Sequence, residues 1–338
     1  MLRLPYFTYH APRTLREAAE MMVSSPGAML VAGGTDLLPN MKRRQQVPPA
    51  LIGLRQIDEL KQIANGDGVR VGAGVTLTTL LHDARLRPYT ALRQAAAQIA
   101  TPHLRNMGTI GGNICLDTRC NYYDQNYEWR KAINFCMKKD GEICWVATSS
   151  PRCLAVSSTD TAPALIALGA TAALVSADTT RTVGVTDLFQ NDGIQYLTRL
   201  PHEILAAVHL PRLDGWRSTY WKLRRRGAFD FPVLSVAAAV KLGADGAVEA
   251  ARIVLGAVAS RPMESPAAAA LLVGRPLDDE QIARAAETGA QPARPMDNTD
   301  FPLVWRKRVT RDFITYALRE LRGDDVSARR RAIARQLL

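Results

Sequence analysis

The chain has 338 residues, 47% of them hydrophobic and 22% charged, enough for two or three domains with cores of their own. Its longest apolar run, residues 162–175, is interrupted by Pro163, Gly169 and Thr171, which excludes a membrane-spanning segment. A formal charge of +11 suits an acidic partner or an anionic ligand, but no helix-turn-helix, zinc-finger or RNP pattern accompanies it, so nucleic acid is not expected.

Residues 5–10 read as a short strand. Thr14 and Glu17 then mark a capping box, opening a helix that Pro26-Gly27 ends. Residues 28–32 form a buried strand that stops at Gly33-Gly34, and Thr35-Asp36-Leu37-Leu38 opens another helical turn. Short strands are expected at 51–54 and 69–74, and helices at 77–83 and 90–99. A second glycine segment at 108–112 leads into a cysteine-containing loop that runs to about residue 155. Asp160 is the expected N-cap of a helix punctuated by Pro163 and Gly169. Residues 172–176 and 181–185 alternate like paired strands, and 203–210 is a strand closed by Pro211. A boundary falls near Leu213-Asp214-Gly215. Strands at 218–223, 235–242 and 248–257 follow, with helices at 278–288 and 302–321 to cover one face. The arginine triplets at 224–226 and 329–331 read as solvated faces, and residues 325–338 as a basic tail. The layout is α+β throughout.

Cys120, Cys136, Cys144 and Cys153 lie in one stretch, with only Cys115 ahead of them and none elsewhere. Four soft thiolates in one loop suit a metal centre. From the spacing, three readings stay open. Disulfides belong to oxidising compartments, and residues 1–6 lack the apolar segment of a secretion signal, so the simplest expectation is a cytoplasmic protein with reduced thiols. Zinc is usually held by paired C-x2-4-C knuckles, which this loop lacks. A [4Fe–4S] cluster tolerates irregular spacing, and Tyr122, Tyr123, Tyr127, Trp129, Phe135 and Trp145 provide aromatic cover against water.

The two glycine segments, Ala32-Gly33-Gly34-Thr35-Asp36 and Thr109-Ile110-Gly111-Gly112-Asn113, read as strand-ending loops. Their bare backbone can approach a dinucleotide pyrophosphate, with Thr35, Thr109 and Asn113 adding side-chain donors. Neither is G-x-G-x-x-G, so no Rossmann fingerprint is present. There is also no Ser/His/Asp or Cys/His constellation, H-E-x-x-H or P-loop, which leaves hydrolysis and phosphoryl transfer without support.

Residues 30–38 and 109–114 resemble the two FAD signatures of the flavoprotein subunits of the molybdenum hydroxylases, the xanthine dehydrogenase and CO dehydrogenase group. Asp160-Thr161-Ala162-Pro163, Glu203-Ile204-Leu205 through Leu210-Pro211, and Trp221-Lys222-Leu223 match further segments of that family in order. The resemblance implies a two-lobed, vanillyl-alcohol-oxidase-like FAD domain over residues 1–213, with lobes of about 1–57 and 58–213. A C-terminal α+β domain, an antiparallel sheet covered by helices, would span 216–324. FAD would be contacted by Met29, Leu30, Val31, Ala32, Gly33, Gly34, Thr35, Asp36, Ile99, Thr109, Ile110, Gly111, Gly112, Asn113, Asp160, Leu205 and Lys222, the lysine lying beside the isoalloxazine.

Most of that family lacks the cysteine loop, which is inserted here at about 116–156. The insert is similar to that of the β subunits of the 4-hydroxybenzoyl-CoA reductases, where it binds a [4Fe–4S] cluster. Leu116 through Tyr123, Trp129-Arg130 and Phe135-Cys136-Met137 carry this likeness. It implies Cys120, Cys136, Cys144 and Cys153 as ligands, with Cys115 spare. It further implies an electron-transfer subunit without catalytic residues, joined to a molybdenum-binding large subunit and a [2Fe–2S] small subunit as a dimer of heterotrimers. Reduced ferredoxin would supply electrons for dehydroxylation of 4-hydroxybenzoyl-CoA to benzoyl-CoA. Two other readings are a related hydroxylase that oxidises an aromatic or CoA-linked substrate, and a non-redox zinc-loop module that binds a nucleotide.

Overall fold

The computed structural model describes residues 3–335; Met1, Leu2 and the last three residues of the basic tail lie outside the described residues. Strands β1 (Thr8–His10), β2 (Met29–Val31) and β3 (Ala50–Gly53) form a parallel sheet in the order β1-β3-β2. Parallel neighbours need crossovers, and helices Leu15–Ser24 and Leu37–Lys42 supply them. The first helix buries Leu15, Ala18 and Ala19, one face at helical spacing. Thr14 Oγ1 caps it by accepting from Glu17 N at 3.1 Å. The Glu17 carboxylate reaches back to Arg13 N at 2.8 Å, so the capping box closes one residue earlier than its usual form.

The second sheet is antiparallel and runs β4-β5-β8-β6-β7, from β4 (Ile63–Gly66), β5 (Gly68–Gly72), β6 (Thr171–Val175), β7 (Thr180–Gly184) and β8 (Ile204–Leu210). The third is an antiparallel meander of β9 (Trp216–Leu223), β10 (Leu234–Leu242), β11 (Val248–Gly256) and β12 (Met263–Glu264). Along β10 the pleat divides the side chains by twos. Ala237 and Ala239 join the core shared with the first two sheets, while Val236, Ala238 and Val240 join a second core under helices Pro266–Leu272, Asp279–Ala290 and Leu303–Arg322. Helix Thr161–Ala167 is buried on every side, as an all-apolar helix must be, and it fixes the residue that precedes it, Asp160. Full burial of a side chain such as Leu165 contributes about 1.5–3 kcal/mol.

Three expectations are corrected. Asp160 stands at the N-cap position but does not cap: its backbone is already helical and its side chain makes no capping bond, while Thr159 Oγ1 accepts from Ala162 N at 3.3 Å. The second glycine segment does not end a strand but forms helix Ile110–Ile114, capped by Thr109. Of the tail triplet, Arg330 is not a solvated side chain. It lies 4.1 Å over the Trp221 ring and 2.5 Å from Glu320, tying helix Ser327–Ala334 to the third sheet. Among the described residues, no helix is long and apolar enough to cross a membrane.

Candidate functional site

A cleft of about 820 Å³ opens where the first sheet, the second sheet and the β9–β10 connection meet. The first sheet contributes the stretch from Met29 through Asp36, and the second lobe contributes Ile99, Thr109, Gly111, Gly112, Asn113, Asp160 and Leu205. Of the residues expected to hold a dinucleotide, only Ile110 and Lys222 lie outside the lining; Ile110 is packed in the core.

The two glycine segments differ in the state of their backbone. Ile110, Gly111, Gly112 and Asn113 direct their N–H groups to Val75 O, Ala73 O, Thr109 Oγ1 and Thr109 O at 3.0, 2.9, 3.1 and 3.0 Å. That segment keeps its donors for itself. The N–H groups of Gly33, Gly34, Thr35 and Asp36, by contrast, find no acceptor among the described residues. Unused donors gathered in a concave turn form an anion-binding nest. Gly34 takes φ +69°, which lets the turn curl, and a Cβ at Gly33 would stand 1.9 Å from Met107 O, so the two segments touch there. Gly112 is different. A Cβ on it would meet only Thr109 Oγ1, at 3.1 Å. Apart from that one contact, the protein's own packing does not require that glycine, which lies in the cleft wall.

Comparison with known proteins assigns the ligand. Residues 5–213 match the FAD binding domain in molybdopterin dehydrogenase, and residues 218–321 the CO dehydrogenase flavoprotein C-terminal domain. The chain belongs to this family. It is the FAD-binding subunit of a molybdenum hydroxylase-type oxidoreductase. The FAD-binding subunit of an Escherichia coli K12 aldehyde oxidoreductase is 32% identical, over 89% of this chain and 95% of its own length. The carbon monoxide dehydrogenase medium chain of Afipia carboxidovorans is 28% identical, over 90% and 92%. Among solved structures, reconstituted CO dehydrogenase from Oligotropha carboxidovorans superposes with a TM-score of 0.78 at 25% identity, covering 95% of this chain and 99% of that one. Membership in an oxidoreductase family sets aside the reading as a non-redox assembly module.

For this FAD subunit the cleft has fitting walls: a largely apolar lining, a nest of free N–H groups at Gly33–Asp36, and a glycine, Gly112, in its wall. Asn113 is turned to structural work, its carbonyl oxygen accepting from Thr159 Oγ1, Thr161 N and Thr161 Oγ1 at 3.0, 3.0 and 2.7 Å. The sequence reading missed Tyr196, Arg199, Phe229 and Phe231, which also line the cleft. Phe229 and Phe231 are 58% and 42% exposed, and an exposed aromatic pair flanking Asp230 in a loop is the signal that marks them. His103, which precedes the second glycine segment, is exposed and outside the lining.

Lys222 sits behind the wall. Its ammonium is buried, 3.0 Å from the Asp160 carboxylate and 3.1 Å from Gln98 O, and Tyr220 donates to Asp160 Oδ1 at 2.6 Å. Burial raises the Asp160 carboxyl and lowers the Lys222 ammonium, and the attraction between them opposes both shifts. The pair therefore joins the third sheet to the cleft residue Asp160. Removing one member strands the other: Asp160→Ala is expected to cost about 3–5 kcal/mol of stability, read as a lower Tm, with Lys222→Met milder because Tyr220 still serves the carboxylate. Equal Tm values for wild type and Asp160→Ala contradict the coupling.

The cysteine insert is closed at its base, where Arg119 and Val156 exchange backbone hydrogen bonds of 2.8 and 2.7 Å. It is fastened to the FAD cleft from several directions. Arg119 pairs with Asp36, Gln45 Nε2 donates to Tyr123 O at 2.7 Å, and buried Lys138 donates to Asp117 Oδ1, Thr118 Oγ1 and Gly193 O at 2.8, 2.8 and 2.6 Å. Asp36 and Asp117 both line the cleft. Cys120, Cys136, Cys144 and Cys153 are all free and buried, and Cys120, Cys136 and Cys153 share one small core with Tyr123 and Ala155. Cys144 is buried outside that small core. Cys115 stands apart in the cleft wall, its carbonyl accepting from Tyr196 Oη at 3.3 Å. Burial pushes the Cys120 thiol up to about 12 and Cys153 to about 11, so both are protonated at neutral pH and a bound metal would displace those protons.

Among the described residues, no three His, Cys, Asp or Glu side chains are drawn tightly enough about one point to hold a single metal ion. One zinc at a Zn–S distance of about 2.3 Å demands that tightness, whereas a four-iron cluster takes one thiolate on each iron and spreads its ligands further apart. Four buried free thiols near Tyr122, Tyr123 and Trp145 are of the ligand type that the second arrangement takes.

Proposed function

We propose that this FAD subunit also carries a [4Fe–4S] cluster on Cys120, Cys136, Cys144 and Cys153, and serves a molybdenum-containing 4-hydroxybenzoyl-CoA reductase. The observation that carries the reading is the insert itself: four buried free thiols in a loop bolted to the wall of the FAD cleft. When bound, FAD and the cluster supply two-electron storage and one-electron exchange, linking reduced ferredoxin to the [2Fe–2S] and molybdenum subunits. The chain's own residues hold these groups in place. The Gly33–Asp36 nest receives the pyrophosphate, the largely apolar lining excludes water from the flavin, and Arg119 and Lys138 fix the insert against Asp36 and Asp117.

A second reading keeps the same subunit in an oxidising enzyme. The names of relatives favour it, since they include an aldehyde oxidoreductase, a nicotinate dehydrogenase from Eubacterium barkeri and a nicotine 6-hydroxylase from Paenarthrobacter nicotinovorans. Assay of the native complex, purified without air, separates the two. The reductase reading expects benzoyl-CoA from 4-hydroxybenzoyl-CoA with reduced ferredoxin, at a rate that falls steeply as salt rises through ~0.1 M, because a charge of +11 steers an acidic donor. No dehydroxylation, together with oxidation of an aldehyde or N-heterocycle by an added acceptor, establishes the second reading instead.

A further inference from the structure

Two large arginines are fully buried in this protein, and the fold treats them differently. Arg306 donates to the carbonyls of Val233, Met296 and Ala257 at 3.0, 3.0 and 2.7 Å, an ordinary structural arrangement. Arg130 sits in the insert on helix Tyr127–Ala132, is 0% exposed, and has no hydrogen-bond partner on Nε, Nη1 or Nη2. Its closest carboxylate, on Asp140, stands 3.6 Å from Nη1 on a half-exposed side chain, and the Phe135 ring lies 5.7 Å from Cζ. With no hydrogen bond on any nitrogen and a single ion pair to a carboxylate that is 40% exposed, this buried guanidinium is only partly compensated.

The Asp140 side chain that meets Arg130 belongs to a turn of the cysteine insert. Lys139 N and Gly141 N both donate to Cys136 O, at 2.8 and 3.1 Å, so Asp140 lies in the turn that begins at Cys136. The guanidinium therefore packs against the turn that carries one of the four thiols. A four-iron cluster with four thiolate ligands is a net anion in either redox state, and takes on one further negative charge when reduced. Its sulfurs accept hydrogen bonds, and both charge and hydrogen bonds set its potential.

We propose that Arg130 is the counter-charge of this cluster, donating to its sulfurs and favouring the reduced state. The proposal rests on the cluster reading given above. Arg130 acts as a positioning and tuning residue and takes no part in the redox step, in which the cluster gains one electron from the donor and passes one on.

The test uses the full chain, purified without air, with iron and sulfide measured before a potentiometric titration followed by electron paramagnetic resonance. Arg130→Met keeps the bulk and removes the charge; Arg130→Lys keeps the charge. In Arg130→Met the cluster is expected to be retained at a potential more negative by at least about 59 mV, a tenfold shift in a one-electron equilibrium, while Arg130→Lys stays within that margin of wild type. Loss of iron from Arg130→Met with retention in Arg130→Lys also supports the charge requirement. A wild-type potential in Arg130→Met, or equal loss of iron from both variants, overturns the proposal and leaves Arg130 as packing. Wild-type protein without iron removes the cluster reading itself, a result recognisable before any variant is compared.

Discussion

Serine in place of Cys136 is expected to strip the insert of its iron while leaving the FAD in place. Cys120, Cys136 and Cys153 share one buried core and Cys144 is buried in the same insert, so each serine puts a harder, less acidic hydroxyl where the proposed cluster needs a thiolate. Iron and sulfide content is expected to fall roughly tenfold or more in each of the four variants, with flavin absorbance retained because none of the four cysteines lines the FAD cleft and the insert gives it only Leu116 and Asp117. Cys115→Ser is the matched control. That residue belongs to the cleft wall and is expected to keep its full iron content. Unchanged iron in Cys136→Ser, or an equal loss in Cys115→Ser, contradicts the ligand assignment.

Flavin loss is expected from valine at either Gly34 or Gly112, by two distinct routes. At Gly34 the backbone holds φ +69°, where a side chain costs about 1–2 kcal/mol, and its Cβ would stand 2.9 Å from Leu38 Cδ1. The turn would then unwind and its free N–H groups would scatter. At Gly112 a Cβ would meet only Thr109 Oγ1, at 3.1 Å, which a few tenths of an ångström of movement relieves, so the added side chain chiefly obstructs the cleft. Gly112→Val is expected to keep the wild-type Tm of the flavin-free protein and to bind FAD at least about tenfold more weakly, by titration. Wild-type affinity in both variants refutes the roles given to these segments; wild-type affinity in Gly112→Val alone restricts the site to the Gly33–Asp36 turn.

Much of this architecture is legible in the sequence because its signals are local. Alternation marks β6 and β7, helix periodicity marks Leu303–Arg322, and the Thr14 cap announces the first helix. What escaped has a physical reason in each case. Strand β4 is exposed along three of its four residues and carries no alternation to read, while helices such as Pro102–Arg105 and Tyr127–Ala132 are too short to show a period. Asp160 looks like a cap because Asp before an apolar helix usually is one. Its true partners, Tyr220 and Lys222, lie some 60 residues away and reach it only through the tertiary fold. The glycine segments declared the cleft but not their division of labour. Which N–H groups stay free depends on Val75 and Ala73, which approach from the strand-to-helix turn after β5 and which no local pattern links to the second segment. The thiols were legible as a group; the stranded guanidinium of Arg130 was not, since burial cannot be read from an arginine on a polar helix.

The account rests on a flavin and a four-iron cluster held by one chain, and composition measures that directly. Full-length protein purified without air is to be assayed for FAD, iron, acid-labile sulfide and zinc, with the reduced sample examined by electron paramagnetic resonance. The account predicts equal amounts of iron and sulfide, four of each per FAD, and the signal of a reduced [4Fe–4S] cluster. One zinc per chain without sulfide, or four cysteines recovered as two disulfides, contradicts it.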